Sequence, residues 1–161
     1  MRSGKAGLLL RAVLVIAALA FQNSESRAGP FSPLAGDWVG SGTLTMGGVG
    51  QRLRCRAIYI VSPRGESLRQ FLRCASDSYV IAVDSDVTEI DGRLSGTWRE
   101  LTSGASGTLT GLVHGPSVAG VVSGLGLSAK LSIYTRGRSQ YASINLYGPS
   151  IAGVVVTFHR V

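Results

Sequence analysis

The sequence predicts an all-β fold: one antiparallel up-and-down barrel of eight or nine short strands, lipocalin- or calycin-like in type, with a single disulfide. Three observations predict it. Short runs that alternate apolar and polar residues recur from residue 36 onward, and none follows a helical period. Glycine-bearing pairs such as Asp91-Gly92 and Gly137-Arg138 separate those runs at spacings suited to tight hairpins. The chain's only two cysteines, Cys55 and Cys74, lie on either side of Pro63-Arg64-Gly65-Glu66, in runs that such a turn would fold together. A tightly coiled sandwich is the other arrangement of the same strands. Closure into a barrel removes the free edges of a chain rich in valine, leucine and glycine.

The chain opens on a leader. Arg2, Lys5 and Arg11 surround the start of the apolar run 12–20, and Ala18-Leu19-Ala20 has the small residues of a cleavage site. Residues 1–20 therefore read as a secretory signal peptide, with a cut as late as Ala28 as the alternative. The run falls well short of the ~20 apolar residues that a membrane-spanning helix needs. Export to the periplasm or the medium agrees with the cysteine usage, because paired cysteines persist as a bridge in an oxidising compartment. The formal charge is +7, but three of the sixteen basic residues lie in the leader, which leaves thirteen against nine acidic ones, a mild net excess of four. The length suits one domain with one core.

Residues 21–33 are small, polar and interrupted by Pro30 and Pro33, so they are expected to form a flexible lead-in to a single barrel domain at 34–161. The first strand follows at 36–46, where Trp38, Gly40, Gly42, Leu44 and Met46 share one face until Gly47-Gly48 ends it. Two glycines beside a tryptophan imply a bent strand or room for a neighbouring ring. The hairpin within 52–79 comes next. An even loop such as Arg64-Gly65 sets Cys55 opposite Cys74, Ala57 opposite Leu72, Tyr59 opposite Gln70 and Val61 opposite Leu68 on one mostly apolar face. Directly opposed strand residues bring their Cα atoms within about 4.5–5.5 Å, so a structural disulfide is available there. The other face gathers Arg52, Arg54, Arg56, Arg69 and Arg73 with Ile58, Ile60 and Phe71.

Residues 79–90 alternate loosely up to Asp91-Gly92, a pair that tolerates positive φ. A strand over 93–101 carries Leu94, Gly96 and Trp98 on one face, and Ser103-Gly104-Ala105 turns the chain into another over 106–114. The glycine-rich segment 115–126 supports either a weak, bulged strand or a loop, so 116–124 stays open between the two. Leu125, Leu127, Ala129, Leu131 and Ile133 then alternate with polar residues, and Ala142, Ile144 and Leu146 do so in the following strand. Odd facing even requires an even loop, Gly137-Arg138 or Arg136-Gly137. A last strand occupies 151–161, with Val154, Val156 and Phe158 on the core side. Gly36-Asp37-Trp38 with 41–45 is echoed by Gly96-Thr97-Trp98 with 106–110, an echo that shared strand chemistry accounts for more readily than duplication.

Gly36-x-Trp38 on the first strand of an exported meander resembles the opening motif of lipocalin-like (calycin) barrels. The longer pattern joins Leu34-Ala35-Gly36-x-Trp38-x-Gly40-x-Gly42, Arg54-Cys55-Arg56-Ala57-x-Tyr59, the segment 72–79 and Ser95-Gly96-Thr97-Trp98-x-Glu100. It is similar to a family of small exported bacterial proteins without an assigned activity, over nearly all of the mature chain. The first resemblance implies an interior site for a small apolar ligand. The second implies no activity.

No catalytic signature is present, and neither an enzyme nor a cofactor is expected. The two histidines, His114 and His159, fall on outward positions or at a strand end, away from any nucleophile. With the cysteines bridged, no set of metal ligands converges, and no glycine-rich segment leads into a phosphate-binding helix. Trp38 and Trp98 are expected inside, either bracing the core or lining a ligand cavity. Glu100 shares the face of Trp98, so it either points inward and needs a partner or is solvated where its strand ends. Arg54, Arg56, Arg69 and Arg73 would form one patch. That patch is either a solvated face neutralised by Asp84, Asp86 or Glu89, or a contact for an anionic partner. Exposed aromatics are too few for stacked nucleic-acid bases. The expected function is binding of a small apolar ligand in the barrel. The alternative is a structural or interaction protein of the cell envelope, including an inhibitor of another exported protein, that meets an anionic component through its Arg face. Cavity volume separates the two readings, because a barrel filled by its own side chains encloses nothing.

Overall fold

The computed structural model describes residues 28–147 and 152–161. The leader at 1–20 and most of the lead-in lie outside the described residues. A short 3₁₀ turn, Ser32–Leu34, precedes ten strands: β1 (Gly36–Met46), β2 (Val49–Val61), β3 (Ser67–Ala75), β4 (Val80–Ile90), β5 (Arg93–Glu100), β6 (Ser106–His114), β7 (Ser117–Gly124), β8 (Leu127–Arg136), β9 (Ser139–Leu146) and β10 (Ala152–Arg160). Each strand pairs with its neighbours in sequence and β1 pairs with β10, which closes an antiparallel barrel. Among the described residues no helix is long and apolar enough to cross a membrane.

Ten strands stand where eight or nine were expected, and the glycine-rich segment explains the difference. Its core, β7, pairs on both sides, with Gly120 directly opposite Gly111 of β6. A Cβ on Gly111 would approach the Ala119 carbonyl oxygen to 2.4 Å. These glycines therefore permit close backbone packing inside a strand, where the sequence suggested a bulge or a loop. Leu125 is a second departure. It was expected to begin the inward face of a strand, but Gly124 pairs with Leu127, so Leu125-Gly126 forms the turn and Leu125 adopts φ 53°.

Elsewhere the predicted register holds. Cys55 faces Cys74, Ala57 faces Leu72, Tyr59 faces Gln70 and Val61 faces Leu68. The two sulfurs are bonded at 2.02 Å. Asp91-Gly92 is a two-residue turn with positive φ at both positions, and Gly137-Arg138, glycine first, joins β8 to β9. The internal echo does not survive: its first copy lies in one strand, β1, whereas its second is divided between β5 and β6.

One end of the barrel is stoppered. The Gly29 and Phe31 amides donate to the carbonyls of Arg64 and Gly65 at 2.8 and 3.0 Å, which ties 29–31 to the β2–β3 turn. Phe31 and Leu34 are buried beside Trp38, whose Nε1 donates to the Leu34 carbonyl at 2.8 Å. The packed domain thus takes in Phe31, ahead of the Leu34 start read from sequence. The Arg160 guanidinium lies 4.8 Å over the Trp38 ring and donates through Nη2 to the Pro33 carbonyl. Gly40 supplies the predicted room for a ring, since a Cβ there would stand 2.7 Å from Phe158 Cδ1.

Candidate functional site

Alternation along ten strands turns one face of every strand into the lumen. Leu72, Ile81, Val83, Leu109, Leu131 and Ile144, with further aliphatic residues of β8 to β10, surround a cavity of about 460 Å³. This lies within the range of about 300–1,000 Å³ typical of small-molecule sites. The walls are almost wholly apolar. Cys74 belongs to them, so the disulfide braces two lumen-facing strands and offers no exposed sulfur.

Among the described residues a chain of neutral polar groups crosses the lumen between this cavity and the stopper. Ser85 Oγ donates to Gln70 Oε1 at 3.4 Å, and Gln70 Nε2 donates to the Tyr59 hydroxyl at 3.3 Å. The Tyr59 hydroxyl donates to Gln140 Oε1 at 2.9 Å, and Gln140 Nε2 donates to Thr135 Oγ1 at 3.2 Å. Five strands contribute one residue each, so the chain exists only once the barrel has closed. Burial pushes the Tyr59 hydroxyl up to about 12, against the opposing effect of its bonds to Gln140 and Gln70. It is therefore a neutral donor at any physiological pH. Tyr59, Gln70 and Ser85 face the cavity, and the Gln70 side-chain amide nitrogen has a second hydrogen to give.

At the opposite end a smaller hollow of about 250 Å³ shares Trp98, Glu100, Val122 and Leu146 with the main cavity and leads towards the β5–β6 and β7–β8 turns. The expected tryptophans thus divide their tasks. Trp38 is fully buried in the stopper, whereas Trp98 is half-buried at the mouth, with Nε1 donating to the Ser123 carbonyl at 3.2 Å. Its ring overlies β7, where a Cβ on Gly124 would meet Cζ2 at 2.8 Å.

Glu100 ends β5 at the mouth, and its carboxylate is taken up by its own turn. Ser103 donates to Oε2 through both its amide and its hydroxyl at 2.6 Å, the Thr102 amide donates to Oε2 at 3.1 Å, and the Ala82 amide donates to Oε1 at 3.1 Å. These bonds, those from Ser103 and Thr102 foremost, hold its carboxyl well below the usual carboxylate range. Glu100 is therefore an anion that shapes the mouth, with its oxygens already occupied.

The four arginines share the outer wall of β2 and β3, with Arg56 directly opposite Arg73, and two of them are paired with carboxylates. Arg56 pairs with Asp37 at 3.0 Å, while Arg69 lies 4.0 and 3.9 Å from Asp84 and Asp86 and 5.0 Å over the Phe71 ring. Arg54 and Arg73 make no ion pair with a described carboxylate. His114 and His159 are exposed.

The polar crossing was not recognised as a site in the sequence. Its signal was present, since Tyr59, Gln70 and Gln140 are polar residues at positions whose alternation points inward. No single-strand pattern shows that they meet.

No family model matches the chain, and no curated protein does. Among solved structures, the crystal structure of Rv2717c from M. tuberculosis is similar, with a TM-score of 0.66 at 14% sequence identity over 81% of this chain and 94% of that one. At that identity the likeness concerns the barrel fold alone.

Proposed function

We propose that this protein is an exported binding protein that encloses a small, uncharged, mainly apolar molecule in its barrel, in the manner of calycins. The observation that carries the reading is the apolar cavity of about 460 Å³ with a hydrogen-bonding floor. Apolar walls supply most of the binding free energy, while a ligand carbonyl or hydroxyl at the floor can accept from Gln70 Nε2 and a ligand hydroxyl can donate to Ser85 Oγ. Among the described residues no cationic side chain lines the cavity, and the one charged residue on its wall is the anion Glu100 at the mouth. A carboxylate ligand would be desolvated there without a counter-charge, so the site favours neutral ketones, alcohols or esters.

Titration of the mature protein with a neutral naphthyl ketone fluorophore tests this. Saturable binding at one site is expected, with competition by a medium-chain ketone and not by the carboxylate of equal length. Ala142 faces the cavity beside Ile133 and Val156, so Ala142→Trp should fill it and weaken binding by about tenfold or more. Absence of saturable binding, or equal affinity in the filled variant, would overturn the reading.

A further inference from the structure

We propose that the open end of the barrel docks on the surface of an anionic lipid bilayer. This goes beyond lumenal binding and does not depend on it. The two ends of the barrel differ in what their turns carry. Around the mouth, Met46 and Val49 flank the β1–β2 turn, Val80 begins β4, Leu101 follows β5, Leu125 occupies the β7–β8 turn and Tyr147 follows β9, and all are exposed. Leu125 exposes 74% of its surface, Val49 66% and Tyr147 60%. At the stoppered end the turns carry Arg64, Glu66, Asp91, Arg93, Arg136 and Arg138, with Ile90 and Val161 as exposed apolar residues among these charges. Single exposed apolar residues are ordinary, but six of them set around one opening form a ring.

Charge identifies the occupant. Behind the rim, in the same half of the outer wall, stand Arg52, Arg54, Arg73, Arg99 and Lys130, and none forms an ion pair with a described carboxylate. The ion pairs that do form involve Arg56, Arg64 and Arg69, which lie further towards the stopper. On the rim side Glu100 is held by its own turn, which leaves Asp77 as an exposed carboxylate among five cations. An apolar rim with a tyrosine in it and free cations behind matches the layered chemistry of an anionic membrane surface. Leucine and valine enter beneath the headgroups, tyrosine sits at their level, and arginine reaches the lipid phosphates. The rim residues are also separate knuckles around an opening, with Gly47-Gly48 and Ser103-Gly104 between them. Fluid lipid fits such a ring more readily than a rigid protein surface does.

Flotation of the mature protein, with no lumenal ligand added, on vesicles of phosphatidylglycerol and phosphatidylcholine or of phosphatidylcholine alone tests the proposal. Binding to the anionic vesicles at low salt is expected, with weaker binding as salt rises and little to the neutral ones. A rim variant combining Val49→Thr, Leu101→Ser and Leu125→Asn should bind about tenfold more weakly or worse. Asparagine tolerates the positive φ at residue 125, so that turn is preserved. Arg52→Gln with Arg73→Gln should also weaken binding by about tenfold and flatten the salt dependence. Ile90→Ser, at the stoppered end, should bind as the parent does. If the rim variant melts well below the parent, the arginine variant decides, because its side chains lie in solvent. No binding at low salt, an unchanged affinity in both variants, or an equal loss in Ile90→Ser would overturn the proposal. So would a parent dimer that the rim variant converts to monomer with vesicle binding absent, since the rim would then join two copies of the chain.

Discussion

Tyr59 keeps its proton because the barrel interior cannot solvate a phenolate, and its folded-state pKa rises from the ordinary 10 to about 12. The folded protein therefore holds this proton more tightly than the unfolded chain does. The stability linked to it is fully present below pH 10 and is lost as pH rises through about 12. Denaturant midpoints measured across that window should fall for the parent and fall less steeply for Tyr59→Phe. At neutral pH the same variant should be less stable by about 1–3 kcal/mol, because Gln140 Oε1 loses its donor inside the lumen. Parallel pH profiles for the two proteins would show that Tyr59 is not the group responsible.

The β2–β3 hairpin illustrates how one element can be fixed by its own sequence. Parity of the loop, the turn signal at Arg64-Gly65 and the two cysteines all agree on one register, and Gly65 takes the positive φ that the turn demands. The disulfide spans a sequence separation of 19 residues. A loop of that length stabilises the fold by roughly 3 kcal/mol on the chain-entropy account. Cys55→Ser with Cys74→Ser should therefore lower the melting temperature by roughly 10 °C. The parent melted under reductant should follow the variant. Coincident melting of variant and oxidised parent would show that the bridge adds no stability.

At the scale of the whole molecule the decisive contact is the seam between β1 and β10, since an up-and-down sheet becomes a barrel only when its first and last strands pair. Gly42 lies on that seam. A Cβ there would stand 1.9 Å from the Val155 carbonyl oxygen and 2.7 Å from Val156 Cα, both backbone atoms that cannot swing aside. Gly42→Ala should cost about 1–3 kcal/mol, read as a lowered thermal midpoint. Gly50→Ala is the control, because its nearest neighbour is the flexible Thr43 side chain at 3.3 Å, and it should change stability little. Equal melting of the two variants would mean that the seam relaxes without cost.

The all-β class, the β2–β3 and β8–β9 registers, the disulfide and the inward placement of Trp38 and Trp98 were determined by the sequence itself. They depend on alternation and turn chemistry, which act between residues close along the chain or across a single hairpin. What only the tertiary structure decided depends on elements far apart. Gly120 stayed open between a bulged strand and a loop until β7 is seen to pack against Gly111 of β6. Glu100 had two open orientations until the turn after β5 supplied its donors. Which carboxylates neutralise the arginine face was open until Asp37, distant in sequence, paired with Arg56. The polar crossing is the clearest case, because Ser85, Gln70, Tyr59, Gln140 and Thr135 come from five strands and meet only across the closed lumen. A sequence encodes which face of each strand turns inward. How much room the ring of inward faces leaves, and which polar groups meet across it, follows from strand number, tilt and close glycine contacts acting together.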